Sequence, residues 1–471
     1  MMFRRFSGLS RVHFVGIGGA GMSGIAEVLA VSEVDLEVTG CDMASSEATA
    51  RLARLGLDVQ VGHSRDHVRD ADLLVISSAV RQDNEEVVAA RRLGIPVIRR
   101  AEMLAELMRL KYGIAVAGTH GKTTTTSLIG TLLTGGGLDP TVIVGGRLRV
   151  SGTGARLGKS DYLVVEADEF DRSFLRLQPI VAIVTSIDLD HLDTYRDLEE
   201  IKDAFVSFAS RVPFFGRVIV CLDDPRIQDI LPRLADRRIV TYGLSRQSDL
   251  MAHHVETTER GCRFRVRHAA EGELGEIEIP MPGLHNVQNS LAAVGVGLLM
   301  GLEFPTIAST LESFSGVHRR FEVLGEWQQA TVVDDYAHHP TEVAATLSAA
   351  REAFPSATIH AVFQPHLFSR TRDLADEFGR ALLAADRVLV TDIYPSREAP
   401  IAGITAKLIV DVARRSGHRR VDWVEGRTEA RELLVAEVAP GDLVLTLGAG
   451  DIYRLAEELV AESVPVNGER A

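Results

Sequence analysis

The stretch Gly118-Thr119-His120-Gly121-Lys122-Thr123 sets a lysine and a hydroxyl directly behind a glycine turn. A nucleoside triphosphate needs those groups: backbone N–H around the phosphates, an ammonium for the β- and γ-phosphates, and a hydroxyl for Mg²⁺. The Walker pattern is incomplete, because Val116 stands where its first glycine would be. The apolar run before the turn and the Lys-Thr pair behind it remain. ATP is therefore the expected ligand, with Gly118, Thr119, His120, Gly121, Lys122, Thr123 and Thr124 on its phosphate side; a plain turn is the alternative. A second glycine loop lies near the N-terminus. There, HFVGIGGAGMSGIAEVL carries Gly16, Gly18, Gly19, Ala20 and Gly21 in the order G-x-G-x-x-G. Such a loop seats a pyrophosphate on a helix N-terminus, and an acid roughly 20 residues on, here Asp42, binds a ribose hydroxyl. NAD and a UDP-sugar both present a pyrophosphate, so the loop leaves them open.

Acids that could hold a metal follow two apolar runs: Glu166, Asp168 and Glu169 in DYLVVEADEFD, then Asp188, Asp190, His191 and Asp193 in VAIVTSIDLDHLDTY. Mg²⁺ takes hard oxygens and often only one or two protein carboxylates. Solvated loop caps are the plainer reading, and His191 then only starts a helix. An EF-hand is excluded because its central glycine is missing. In GLHNVQNSLAA, His285, Asn286 and Asn289 open an apolar helix, where amides either read a purine edge or cap the helix. Arg319 and Arg320 in GVHRRFE suit phosphate in a hinge, or a surface ion pair. Asp334, Asp335, Tyr336, His338 and His339 in VVDDYAHHPTE, and His366, Arg370 and Arg372 in FQPHLFSRTR, follow strand-like runs. The carboxyl ends of parallel strands are where α/β sites form.

The elements that must carry these residues alternate. Strand-like runs VHFVGI, LEVTG, LLVISS and IPVI are separated by helical stretches such as EATARLARLG, and AEMLAELMRL closes the first unit. That pattern predicts a parallel α/β sheet. A second unit starts at GIAVAGTHGKT and includes YLVVEAD, VAIVTSI and RVIVCL, a few antiparallel strands between Ser248 and Pro280, and a helix over 285–302. A third, from Gly316, has TVVDDYAH, TIHAVFQP, RVLVTDI and DLVLTLG. The expectation is three α/β domains in a row, 1–108, 109–315 and 316–471, as a chain of 471 residues allows.

Bulk properties narrow the class. With 46% hydrophobic and 25% charged residues the chain can bury several cores. A net charge of −14 disfavours non-specific nucleic-acid binding. Cys41, Cys221 and Cys262 are too scattered for a disulfide framework or a cysteine-rich zinc site, which fits a reducing cytoplasm. The opening MMFRRFSGLS lacks a clean signal-peptide sequel. The apolar run Leu291–Leu302 is shorter than the roughly 20 residues a membrane span needs, so no membrane insertion is expected.

Taken in order, HFVGIGGAGMSGIA, GTHGKTTTT, EADEFDRSFL, DHLDTY, GLHNVQNSLAA, HRRFE, DDYAHHPTE and QPHLFSRT resemble the Mur ligase family of peptidoglycan synthesis over nearly the whole chain. The resemblance implies a Rossmann-like N-terminal domain, a P-loop ATPase-like central domain and a Rossmann-like C-terminal domain. It implies that the first loop holds the UDP part of UDP-N-acetylmuramate, on Gly16, Gly18, Gly19, Ala20, Gly21, Asp42, His63 and Ser78. Thr123, Glu166 and His191 match metal-ligand positions, and His285, Asn286 and Asn289 match adenine-side and structural ones. Arg320 and Asp335 match a clamp on the nucleotide, while His338 and Arg370 fall where L-alanine is held. Two departures stand out: Leu367, where some relatives carry Arg, and Phe170-Asp171-Arg172, where relatives often carry smaller residues. The implied reaction uses ATP and Mg²⁺ to turn the lactyl carboxylate into an acyl phosphate, which the alanine amine attacks. Lys122, Glu166, His191, Arg320, Asp335, His338 and Arg370 form the expected catalytic set, with domains closing about Gly316–Arg320 in a monomer or homodimer. A nicotinamide-dependent dehydrogenase leaves the lysine loop unexplained; a sister ligase differs only in the third-domain pocket; a non-catalytic nucleotide-binding regulator is the remaining rival.

Overall fold

The computed structural model describes residues 8–31, 36–77, 79–148, 153–191, 194–396 and 398–463. Ser78 and Asp193 lie outside them. Short runs of apolar residues, buried along their whole length, set the architecture: LLVI, VAIV, RVLV and LVLTL are solvent-free on both faces. Strands of that kind belong inside parallel sheets covered by helices. The described strands form three sheets.

The first sheet contains β1 (Arg11–Val15), β2 (Glu37–Asp42), β3 (Asp58–Val61), β4 (Leu73–Ile76) and β5 (Val97–Arg99), in the order β3-β2-β1-β4-β5. All its pairings are parallel. The chain reverses direction across the sheet between β1 and β4, so the loop leaving β1, Gly16–Gly21, opens at the switch point where α/β sheets bind ligands. The helix Ala20–Val31 follows it.

The second sheet has ten strands, in the order β15-β14-β13-β12-β11-β10-β6-β9-β7-β8. They are β6 (Tyr112–Ala117), β7 (Thr141–Leu148), β8 (Thr153–Arg156), β9 (Tyr162–Glu166), β10 (Val181–Val184), β11 (Arg217–Cys221), β12 (Ile239–Gly243), β13 (Leu250–Thr258), β14 (Gly261–His268) and β15 (Gly272–Ile279). β6 runs parallel to β9 on one side and β10 on the other. The loop after β6 therefore emerges between the ends of the two strands that deliver the acids. The expected helix over 285–302 is Leu284–Leu299.

The third sheet holds β16 (Glu322–Trp327), β17 (Ala330–Asp335), β18 (Ile359–Phe363), β19 (Arg387–Val390), β20 (Val421–Trp423) and β21 (Leu443–Leu447), ordered β16-β17-β21-β18-β19-β20. Only β16 is antiparallel to its neighbour among these pairings. The mixed α/β class is as expected. The chain divides into two compact units: Met1–His254, Phe264–Ile277 and Gln288–Ser315 form one, and Val255–Arg263, Glu278–Val287 and Gly316–Ala471 the other. The first sheet lies wholly in the former unit and the third wholly in the latter.

Candidate active site

The turn after β6 is shaped by two glycines in backbone conformations that L side chains resist. Gly118 has φ +137°, and a Cβ there would sit 2.0 Å from Thr185 Oγ1; Gly121 has φ +81° and starts the helix Lys122–Gly135. The turn is pinned to the end of β10: Thr119 N donates to Ser186 O (3.0 Å), His120 N to Ser186 Oγ (2.9 Å), and Asp188 N to Thr119 Oγ1 (2.9 Å). His120 Nε2 lies 3.2 Å from Asp188 Oδ2. Thr124 is buried in the first helical turn, whose N–H groups have no intrahelical acceptor and point at whatever the turn encloses.

Lys122 curls back over the turn. Its Nζ donates to Gly118 O at 2.7 Å and meets both Glu169 carboxylate oxygens at 2.8 and 2.9 Å. Burial works against its charge, yet Glu169, Asp168 and Glu166 outweigh that and hold the ammonium above its ordinary pKa. Burial likewise opposes ionisation of Glu169, but Lys122 and then His191 outweigh it and hold this carboxyl low. His191, at φ +57°, has Nε2 3.5 Å from Glu169 Oε1; burial would discharge it, and Glu169 and Asp190 reverse the sign. Glu166 is held differently. It accepts from Thr123 Oγ1 at 3.0 Å and from Gly145 N at 2.8 Å, and burial pushes its carboxyl up. A desolvated carboxylate beside a threonine hydroxyl is a hard-oxygen pair suited to a divalent cation. The structure thus separates the acids that the sequence left grouped: Glu166 meets Thr123, whereas Glu169 is the lysine's counter-ion.

Arg172 is held by several partners at once. It adopts φ +58°, donates to Thr194 O (2.9 Å) and Glu200 (2.5 Å), and stacks 4.8 Å from the Tyr195 ring. Tyr195 OH donates to Glu169 O at 2.8 Å. Arg172 and Tyr195 therefore brace the loop that carries Glu169. Asn289 Oδ1 accepts from Thr125 Oγ1 (3.1 Å), tying two helices together.

At the first loop, Gly16 N and Ile17 N donate to Cys41 O at 2.9 and 3.0 Å, and Gly18 N donates to Asp42 Oδ2 at 2.8 Å. Asp42 thereby shapes the glycine loop. His63 Nδ1 lies 3.0 Å from the buried Glu86.

In the second unit, Asp335 ends β17 and accepts from Phe321 N (2.7 Å) and Ala337 N (2.8 Å); burial, only partly offset by Arg320, pushes its carboxyl up to about 6. Arg319 corrects the reading of a surface ion pair in a hinge. It is buried, pairs with Asp334 at 2.9 Å and donates to Gly448 O and Gly450 O, so it fastens β17 to the loop after β21. Arg320 is half-buried, 4.0 Å from Glu342. His338 Nδ1 lies 3.0 Å from Tyr336 O; a carbonyl only accepts, so Nδ1 carries the proton and Nε2 is the basic atom. The His338 and His366 rings are 5.8 Å apart, and His366 stacks on Tyr394 at 5.9 Å. Leu367 takes φ +72° at the start of the short helix Phe368–Asp373, which carries Arg370 and Arg372. Asn286 Nδ2 donates to Pro282 O at 2.8 Å, a bond at the helix start. His285 is driven down to about 4 by burial, with Arg320 adding to the effect.

Three family descriptions match successive parts of the chain: "Mur ligase family, catalytic domain" over residues 11–112, "Mur ligase middle domain" over 116–297, and "Mur ligase, glutamate ligase domain" over 319–450. A UDP-N-acetylmuramate–L-alanine ligase of Geobacter sp. (strain M21) is 51% identical over 452 residues, 96% of this chain and 97% of that protein. The chain belongs to the Mur ligase family. A ligase of the same description from Sorangium cellulosum is 51% identical over 97% of this chain and 98% of its own length. The crystal structure of UDP-N-acetylmuramate–alanine ligase from Thermotoga maritima aligns with a TM-score of 0.79 at 30% identity, covering 96% of this chain and 99% of that one. Mur ligase membership makes the protein an ATP-dependent ligase of three α/β domains and disposes of the dehydrogenase reading. Among the described residues, no helix is long and apolar enough to cross a membrane.

Proposed function

We propose that this Mur ligase joins L-alanine to the lactyl carboxylate of UDP-N-acetylmuramate, at the expense of ATP, in the synthesis of peptidoglycan precursors. The likeness to ligases of that name at about half identity over nearly the full length carries the reading. Residues 1–108 take the sugar nucleotide on the Gly16–Gly21 loop, 109–315 take ATP, and 316–471 close over ATP and hold the amino acid. A carboxylate is a poor acyl donor at neutral pH, so it first attacks the γ-phosphate in line, forming an acyl phosphate and releasing ADP. Lys122 and the N–H groups opening its helix counter the negative charge that builds up there. Thr123 and Glu166 would hold Mg²⁺, which would neutralise phosphate oxygens, and His191, whose Nε2 lies 3.5 Å from Glu169, is the third ligand on this reading. His338 Nε2 takes a proton from, or orients, the alanine ammonium. The amine then attacks the acyl carbon and expels phosphate. Arg320 and Asp335 clamp the nucleotide, and Arg370 holds the alanine carboxylate in the absence of an arginine at Leu367.

The test measures phosphate release from ATP with UDP-N-acetylmuramate and, in turn, alanine, glycine, serine and glutamate. Alanine is expected to give the highest kcat/KM. Glycine and serine should trail by only about 10–200-fold, since one methyl lost or one hydroxyl added in an apolar pocket is worth only about 1–3 kcal/mol. Equal rates without any amino acid, or glutamate as the preferred substrate, would overturn the assignment.

A further inference from the structure

Beneath the first glycine loop lies a cluster that the ligation chemistry does not use. Glu86, in the first turn of the helix Glu85–Arg92, is fully buried, and its partners among the described residues include no lysine or arginine. Instead Cys41 Sγ lies 3.0 and 3.2 Å from its two oxygens, His67 Nδ1 2.6 Å from Oε1, and His13 Nε2 3.9 Å from Oε1. His13 is only 2% exposed, and its Nε2 has no hydrogen-bond partner, while its Nδ1 is bonded to Thr39 Oγ1 at 2.8 Å. An orphaned buried imidazole nitrogen aimed at a carboxylate and a thiol is costly unless something fills the gap.

We propose that this cluster is a second metal site, selective for a borderline cation such as Zn²⁺, with His13 Nε2, Cys41 Sγ, His67 Nδ1 and one Glu86 oxygen as its four ligands. These four atoms all lie within 4.8 Å of one another. Tetrahedral Zn²⁺, with bonds of about 2.0–2.3 Å, spaces its ligands roughly 3.3–3.8 Å apart, so shifts of about 1 Å complete the shell. Charge balances: the cation, one thiolate, one carboxylate and two neutral imidazoles sum to zero in a largely buried pocket that only His67 leaves partly open. On binding, the Cys41 S–H bond breaks, its proton goes to solvent and the sulfur bonds the metal. Burial otherwise keeps this thiol protonated, raising it far above its ordinary value. The Thr39 hydroxyl holds the far side of the His13 ring, as second partners of ligating histidines do. Thiolate and imidazole donors distinguish this site from the oxygen-rich one that suits Mg²⁺. Through Cys41, whose carbonyl receives Gly16 N and Ile17 N, a bound metal braces the loop that faces the sugar nucleotide. His63, 3.4 Å from Cys41 Sγ, stands at its rim.

The experiment titrates the full-length, EDTA-stripped protein with Co²⁺, in the absence of nucleotide and Mg²⁺. One equivalent is expected to give tetrahedral d–d bands and a thiolate-to-cobalt charge-transfer band, both displaced by Zn²⁺. Cys41→Ser removes the charge-transfer band, His67→Ala weakens Zn²⁺ binding at least tenfold, and His191→Ala changes neither. Zn²⁺ also raises the thermal midpoint of the parent protein. A charge-transfer band that persists in Cys41→Ser, no band in the parent protein, or an unchanged Zn²⁺ affinity in His67→Ala would overturn the proposal; the last arm decides if Cys41→Ser does not fold.

Discussion

Lys122 and Glu169 form a buried pair whose removal has two separable effects. Lys122→Ala strands Glu169 in a desolvated site, and breaking such a pair costs about 3–5 kcal/mol. It also deletes the γ-phosphate cation, and phosphate release should fall by at least about a thousandfold. Calorimetric binding of UDP-N-acetylmuramate to this variant should stay near the parent value; wild-type turnover would refute the role of the turn. Asp335 makes a pH prediction. Its carboxyl is raised to about 6 by burial, so the folded state binds the proton more tightly than the unfolded chain does. Its contribution is therefore fully present below the unfolded value near pH 4 and is lost as pH rises through 6, by about 3 kcal/mol. Thermal midpoints of Asp335→Asn and the parent protein across pH 4–7 should show a flatter profile in the variant. The sequence marked Lys122 and Thr123 because glycine, lysine and hydroxyl are contiguous. Residue types and spacing do not tell Glu169 from Glu166, three residues apart, because that choice depends on which acid turns towards the ammonium at the end of β9; only the family resemblance singles out Glu166. The cluster around Glu86 was illegible for a related reason: its members come from four separate segments.

Most strands with strong apolar runs are readable in the sequence, but β7, whose TVIV stretch is buried, and β12 are not singled out there although both are interior strands. β9, β10 and β21 lie within runs singled out in the sequence, and β1 and β17 begin one residue before theirs, because strands buried on both faces are largely apolar. β3, with its mostly exposed DVQV, and the three-residue β20 escaped notice; both are edge strands with little apolar surface to bury. β16 escaped too, since its half-buried EVLGEW pairs only with β17. The turn after β6 offers a test at this scale. A Cβ at Gly118 would meet Thr185 Oγ1 at 2.0 Å and backbone nitrogens at 2.9 Å, on top of an unfavourable φ. Gly118→Ala should therefore lose about 3 kcal/mol or more of stability, and ligation with it. Gly56, with φ +89° but open space around it, should lose only about 1–2 kcal/mol as alanine. Urea or thermal unfolding of the two variants side by side checks the ordering; equal losses would mean that the turn tolerates a side chain.

For the whole molecule, the proposed chemistry needs three loops on three sheets to meet around a hydrolysable acyl phosphate, which calls for exclusion of water. The last of the chain's passages between the two compact units falls at Ser315 and Gly316, and Gly316 has φ +83°. Small-angle scattering should show a smaller radius of gyration with an ATP analogue and UDP-N-acetylmuramate together than with neither; an unchanged radius would argue against closure about Gly316–Arg320. The three-domain order was legible because each sheet announces itself by a fresh series of apolar runs, whereas the division into only two compact units was not, since it depends on packing between non-contiguous segments. One further consequence follows from the carboxylate already seated on Lys122. Every arriving anion must compete with a tethered rival that never diffuses away. Stray phosphate or sulfate, with few contacts to offer, loses that contest. A polyphosphate that engages the turn, the helix start and the lysine at once has more contacts to set against Glu169.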